Sequence, residues 1–250
     1  MFQPPTFAGP GLPAPKGPCH GIALLPRSIL HGQRDTFQMD GIVGANYLST
    51  QGIWTFDYPA QQLRHESASW RPARDAKQAP LGFGKLPSGV QRGFPRLTMK
   101  VDGEHIDMLL DTGATSQPTQ ATIAATGDGT VNDIGATSYI TTAMFERWQQ
   151  RHPDWPVIEQ GDTLFGPTHA MRLIRVPFIE WAGTRMGPIW FTERPVAAFH
   201  TVMAAEMDRA PEGALGGNVF KHLTLTIDYP GHSAWVTCHD AAFCTSVSPH

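Results

Sequence analysis

Two stretches of this sequence are versions of one another, and any fold has to accommodate both. Residues 40–59 read DGIVGANYLSTQGIWTFDYP, and residues 212–230 read EGALGGNVFKHLTLTIDYP. Gly41, Gly44, Asn46, Asp57, Tyr58 and Pro59 match Gly213, Gly216, Asn218, Asp228, Tyr229 and Pro230 with one single-residue gap. The matches fall at turn-type or polar positions, so shared apolar composition does not account for them. Self-similarity of this kind marks a repeated structural unit. Each copy reads as Gly-apolar-apolar-Gly, a short helical or irregular piece, and an alternating strand stopped by Pro. The sequence therefore predicts two tandem units, of which these are the endings.

The second unit has a complete run of elements ahead of its ending. FPRLTMKVDGEHIDMLLDTGAT, from residue 94, reads as a strand, an Asp-Gly turn at Asp102 and Gly103, and a second strand running into Asp111. Residues 137–150 carry Tyr139, Ile140, Ala143, Met144 and Trp148 near helical spacing behind a Thr/Ser cap, which predicts one amphipathic helix. MRLIRVPFIEWAGTRMGPIWF then gives strand, turn at Gly183, strand. The expected organisation is a partial first lobe over 1–63, a linker over 64–93, a complete lobe over 94–238 and a tail over 239–250. The linker expectation rests on the polar, Pro- and Gly-rich composition of 64–93.

Composition agrees with a β-rich chain. Among 250 residues there are 25 Gly and 22 Pro while charged residues are only 16%, which fits short strands and many turns better than long solvated helices. With 41% hydrophobic content the chain can bury a sizeable core. A formal net charge of -3 without any Lys/Arg run argues against nucleic acid or anionic lipid as a partner. No stretch approaches the roughly 20 apolar residues of a membrane span. The N-terminal MFQPPTFAGPGLPAPKGP lacks an apolar segment behind a basic start. Cys19, Cys238 and Cys244 match no zinc spacing; Cys238 and Cys244 read as two ordinary thiols, with a bridge between them as the alternative in an exported protein. The compartment stays open: periplasmic or secreted with an upstream signal, cytoplasmic otherwise.

The chemistry-bearing segment is MLLDTGAT, residues 108–115. An aspartate directly after apolar Met108, Leu109 and Leu110 needs hydrogen bonds, or another acid with which to share a proton. Asp-Thr-Gly alone is a weak signal. Its context is stronger: an apolar strand before it, Ala114 and a hydroxyl residue after it, a downstream Gly-apolar-apolar-Gly, and a second copy of that last element.

LLDTGAT after a hairpin, with GALGGNVF and LTIDYP about a hundred residues on, resembles the retropepsin-like aspartic peptidases, particularly bacterial members. The resemblance covers 94–238, with 40–63 similar to the tail of a preceding lobe. It implies a mainly β protein, a closed β-barrel lobe with one or two helices plus a partial preceding lobe. It also implies two lobes, from one chain or a dimer, each giving one Asp-Thr-Gly loop to a shared cleft. Asp111 would be one of two carboxyls sharing a proton, since like charges about 3 Å apart cannot both ionise. One acid would activate a water that attacks the peptide carbonyl while the other donates to its oxygen. Thr112 would bond across to the partner loop, Gly113 would let the backbone approach, and Ala114 would continue the loop. Ala214, Leu215 and Gly216 would support the loop from beneath. The substrate implied is an extended peptide bound by backbone hydrogen bonds. A flap hairpin is expected within 156–176. No cofactor is implied, and the scattered histidines give no metal-ligand spacing.

Two departures qualify the resemblance. Only one Asp-Thr-Gly is present, since RDTF at 34–37 has Phe37 where glycine is needed. A second acid would then come from ahead of Met1 or from a second copy in a homodimer; the rival is an inactive peptide-binding module of the same fold. SQPT at 116–119 makes the strand after the motif irregular. Other readings stay local: Asp111 as a strand-end turn cap, Asp57 and Asp228 bonding backbone before Pro, Asp133 of DIGAT as a loop or cap residue. Trp155, Trp181 and Trp190 read as core or cleft wall.

Overall fold

The computed structural model describes Pro13 and residues 42–246. Cys19, the RDTF segment, Gly41 and the greater part of the expected first lobe lie outside the described residues, as do residues 247–250 of the tail. The chain is mainly β. In order come α1 (Ala45–Gln51), β1 (Ile53–Asp57), β2 (Gln62–Glu66), β3 (Lys77–Pro80), β4 (Gly82–Lys85), β5 (Gln91–Val101), β6 (Glu104–Leu110), β7 (Thr115–Ser116), α2 (Gln120–Thr126), β8 (Gly135–Ala136) and β9 (Ser138–Thr141). Then follow α3 (Thr142–Arg151), β10 (Val157–Asp162), β11 (Met171–Val176), β12 (Ile179–Trp181), β13 (Thr184–Met186), β14 (Ile189–Arg194), β15 (Gly213–Leu215), α4 (Gly217–Phe220), β16 (Leu223–Asp228), β17 (Ser233–Cys238) and β18 (Cys244–Ser246).

The strands of the two similar stretches, β1 and β16, meet in a five-stranded sheet of order β2-β1-β16-β17-β3. Antiparallel β1 and β16 set Ile53 opposite Asp228 and Asp57 opposite Thr224, which leaves Thr55 facing Thr226, its counterpart in the other stretch. Both threonines are buried, and their hydroxyls share a 2.8 Å hydrogen bond. Trp54 beside them is fully buried and donates its indole N–H to Leu48 O at 3.0 Å. Asp57 and Asp228 do bond local backbone, accepting from Ala60 and Gly231 N–H.

The larger sheet follows the path β10-β11-β14-β9-β15-β6-β5-β12-β13-β18, with β4 paired to β5 and the small β7–β8 pair separate. Strands β5 and β6 form the hairpin expected at Asp102 and Gly103, with Asp102 at φ 52° and Gly103 at φ 79°. Their alternate residues Leu97, Met99, Ile106, Met108 and Leu110 enter a core shared with Phe145, Trp148, Phe191 and Phe220. Trp181 is core, and Trp155 packs edge-on against Trp148.

Three local readings of the sequence differ from the structure. Residues 64–93 contain the end of β2, all of β3 and β4 and the start of β5, with Ala79, Leu81 and Phe83 buried at alternate positions. Average composition hides a short period-2 pattern of this kind. Within 137–150, residues 138–141 are strand and the helix occupies 142–151, capped by Thr141 Oγ1 on Met144 N–H at 3.3 Å. Pairing of β9 with both β14 and β15 outweighs its helical spacing. Cys238 and Cys244 form a disulfide, closing a loop whose Asp240 accepts from Ala242 and Phe243 N–H.

The Thr55–Thr226 pair generates a test. Thr55→Val or Thr226→Val alone strands one buried hydroxyl and should cost about 1–3 kcal/mol, whereas the double variant should cost less than either single. Urea unfolding of the three variants, analysed as a double-mutant cycle, measures this.

Candidate functional site around Asp111

Strand β6 sends Ile106, Met108 and Leu110 into the core and leaves Leu109 on its other face. Asp111 shares the parity of Leu109, so its carboxyl leaves the ladder on the face away from the main core. The ladder ends at this residue: Asp111 N–H donates to Leu215 O at 2.9 Å. The chain then turns tightly, with Gly113 N–H donating to Asp111 Oδ1 at 2.9 Å and Ala114 N–H to Asp111 O at 3.4 Å. Thr112 is half-buried and Gly113 exposed, while Ala114 is buried and its carbonyl accepts Thr137 N–H at 3.1 Å.

Beneath this loop, β15 lies between β6 and β9. It pairs parallel to β6, Ala214 against Leu109 and Leu215 against Leu110, and antiparallel to β9, Gly213 against Ile140. The approach after it admits only glycine at 216: a Cβ there would lie 1.9 Å from Thr137 O. Gly216 N–H donates to Ser138 Oγ at 2.9 Å, Ser138 Oγ donates to Asn218 Oδ1 at 2.6 Å, and Asn218 Nδ2 donates to Trp190 O at 2.9 Å. Of the residues singled out in the sequence, Asp111, Thr112, Gly113 and Ala114 thus form one turn, and Ala214, Leu215 and Gly216 run directly alongside.

The face carrying Leu109 and Ala214 is a second, smaller apolar cluster. Phe199 and Met207 cover it, with Tyr139, Phe94, Ala198 and Met203 at its margin. Phe199 belongs to a π-helical turn, Ala198–Val202. This strap is held by charge: Arg96 makes paired 2.8 Å bonds to Asp208 and a third, also 2.8 Å, to Asp107, and Arg92 pairs with Glu206. Partial burial raises the Asp208 carboxyl, but the bonds and charge of Arg96 outweigh it and leave its pKa below the ordinary range.

The hairpin β10–β11 packs onto the segment that leaves the Asp111 turn. Thr163 N–H donates to Gln117 O at 2.8 Å and Thr119 N–H to Gly161 O at 2.9 Å. The hairpin lies within the 156–176 window expected for a flap.

Burial pushes the pKa of Asp111 above its ordinary value, against a smaller downward pull from Gly113 N–H. Tyr58 and Tyr139 are both raised by burial, and in both the Asp111 charge adds to the rise, so each phenol is within electrostatic reach of that carboxyl. Among the described residues no second carboxyl perturbs Asp111, and no His/Cys/Asp/Glu group is arranged to hold a metal ion. No helix among them is long and apolar enough to cross a membrane. Asp133 sits in an exposed turn at φ 62°. Ser138, Tyr139 as a wall residue and the Phe199 strap carried no signal in the sequence; only Asn218, a matched position of the two similar stretches, did.

No protein-family model and no curated protein matches the chain. Among solved structures it is similar to the crystal structure of a retropepsin-like aspartic protease from Rickettsia conorii. The two are 10% identical, with 67% of this chain and 94% of that one covered, at a TM-score of 0.34. The roles of individual residues rest on the geometry above.

Two outcomes follow from that geometry. Gly216→Ala should destabilise by about 3 kcal/mol or more, read by urea unfolding, because the new methyl meets backbone. For Asp111, a raised native pKa means that the unfolded chain ionises first as pH rises through 3.8, so native stability falls from there up to the native pKa. Asp111→Asn should therefore be the more stable protein at pH 7, with the gain disappearing below about pH 3, in thermal unfolding across pH.

Proposed function

We propose that this chain is the Asp-bearing half of an aspartic endopeptidase that cleaves extended peptides, Asp111 being one of two acids that activate water. The observation that carries the proposal is the Asp111 carboxyl, held at the close of a strand, off the main core and shifted toward its protonated form by burial. A carboxyl that holds its proton more tightly than an ordinary one is suited to sharing it with a second acid. That acid comes from outside the described residues, from another segment or a second copy. Thr112, whose hydroxyl has no hydrogen-bond partner among the described residues, is placed at the turn to bond across to the loop bringing it. Ala214, Leu215 and Gly216 hold the turn from beneath, and the β10–β11 hairpin serves as flap.

One observation favours a second reading, an inactive peptide-binding module: Phe199 and Met207 already fill the face beside Asp111. Hydrolysis of a reduced, unstructured protein between about pH 3 and 7, followed by mass spectrometry, separates the two. Peptidase activity should fall at least about a hundredfold in Asp111→Asn. If a second copy supplies the other acid, the rate per chain should rise with protein concentration. Peptide binding without turnover at any concentration supports the module, and cleavage indifferent to Asp111→Asn sinks the proposal.

A further inference from the structure

Arg194, at the end of β14, is buried among apolar and aromatic side chains and pairs with equally buried Asp162 at 2.7 Å; their side chains are 6% and 1% exposed. Removing two charges from water is costly, and a matched apolar pair often serves stability as well or better. The arrangement around this pair is directional. Asp162 Oδ2 takes the Arg194 bond, while Oδ1 accepts two backbone N–H groups, Gln117 at 2.7 Å and Leu164 at 3.0 Å. Gln117 lies on the segment leaving the Asp111 turn, and Leu164 opens the hairpin tip. The guanidinium carbon lies 4.3 Å from the Tyr139 ring centroid and 5.1 Å from that of Phe165. Tyr139 in turn accepts Thr115 N–H at 2.8 Å and donates to Thr115 O. One cation thus reaches both sides of the junction: directly at Phe165, through Asp162 at Leu164 on the hairpin tip and Gln117 on the turn's outgoing segment, and through Tyr139 at Thr115. Phe165 is 55% exposed, an open aromatic ring held from behind by a buried charge.

We infer that Arg194 is a positioning residue of this site: acting through Asp162 and Tyr139, it fixes the hairpin tip, and with it Phe165, relative to the Asp111 turn, so that Phe165 meets a bound peptide. The inference rests on the peptidase or peptide-binding reading only for the nature of what the tip closes on. An apolar residue in place of Arg194 would leave Asp162 as an unpaired buried carboxylate and release Leu164 and Phe165 together.

The test uses two readouts, one independent of any ligand. In Arg194→Met, amide hydrogen exchange at Gln117 and Leu164 should accelerate at least tenfold while Leu225 and Val236 in the five-stranded sheet stay protected. Binding of a blocked, acetylated octapeptide amide of alternating apolar and polar residues is then measured in an Asp111→Asn background, where turnover does not interfere. Arg194→Met and Phe165→Ala should each weaken binding about tenfold, and the double variant no more than either. If Arg194→Met does not fold, Asp162→Asn carries the same comparison. Unchanged exchange at Gln117 and Leu164, loss of protection throughout the molecule, or additive binding losses would each overturn the assignment. A chain that binds no peptide while the two amides exchange as expected keeps Arg194 as the anchor of the hairpin and instead overturns the peptide-cleft reading and the role given to Phe165.

Discussion

A three-residue strand, Gly213–Leu215, threaded between β6 and β9, is the constraint on which the Asp111 region depends. The β9 segment comes so close that side chains at the ends of the threaded strand are excluded: a Cβ on Gly213 would lie 2.1 Å from Tyr139 O, and one on Gly216 1.9 Å from Thr137 O. The last ladder bond available to β6 is spent on Leu215 O, and from Asp111 onward the chain must satisfy itself locally. A short polar side chain that accepts Gly113 N–H, followed by a glycine, meets that demand. The turn and the strand beneath it are therefore one unit; neither keeps its geometry without the other.

Because neighbouring residues of a strand face opposite ways, the same wedge separates structure from site. Leu110, Leu215 and Ile140 belong to the main core, while Leu109, Ala214 and Tyr139 form the floor of a second, smaller cluster on the side to which Asp111 projects. The two faces are finished differently. The core face is closed by helices and aromatic rings. The other is closed by a strap held by Arg96 and Arg92 and by a hairpin held by a buried ion pair. Packing between apolar surfaces has little directionality, whereas paired charges and bidentate hydrogen bonds fix orientation, and the latter hold the strap and the hairpin.

Much of this was legible in residue order. The alternation in LTMKVDGEHIDMLL gave the β5–β6 hairpin and its turn, since period and turn chemistry are local properties. The glycines at 213 and 216 were legible as a repeated turn-type pattern, and at both the neighbouring backbone leaves no room for a Cβ. Residues 138–141 were misread as helix because their spacing fits a helix as well as a strand, and only the two flanking strands decide between them. Residues 77–85 read as linker by composition, yet they form strands because β3 pairs with distant β17 and β4 folds back on the adjacent β5. Arg194, Asp162, Phe199 and Met207 carry no local pattern at all; each becomes meaningful through a contact made across the sheet.

The sequence by itself determined that the chain is rich in strands, that Asp111 ends one of them in a glycine turn, and that the stretches at 40–59 and 212–230 share six matched residues. These follow from interactions a few residues long: side-chain alternation, turn preferences and the steric freedom of glycine. Only the tertiary structure decided that the strands of these two stretches lie side by side with Thr55 on Thr226, that Asp111 is buried enough to hold its proton more tightly, and that a buried arginine ties the hairpin to the turn. Those properties depend on the loss of water and on charges brought together from distant parts of the chain, which residue order alone does not place in space.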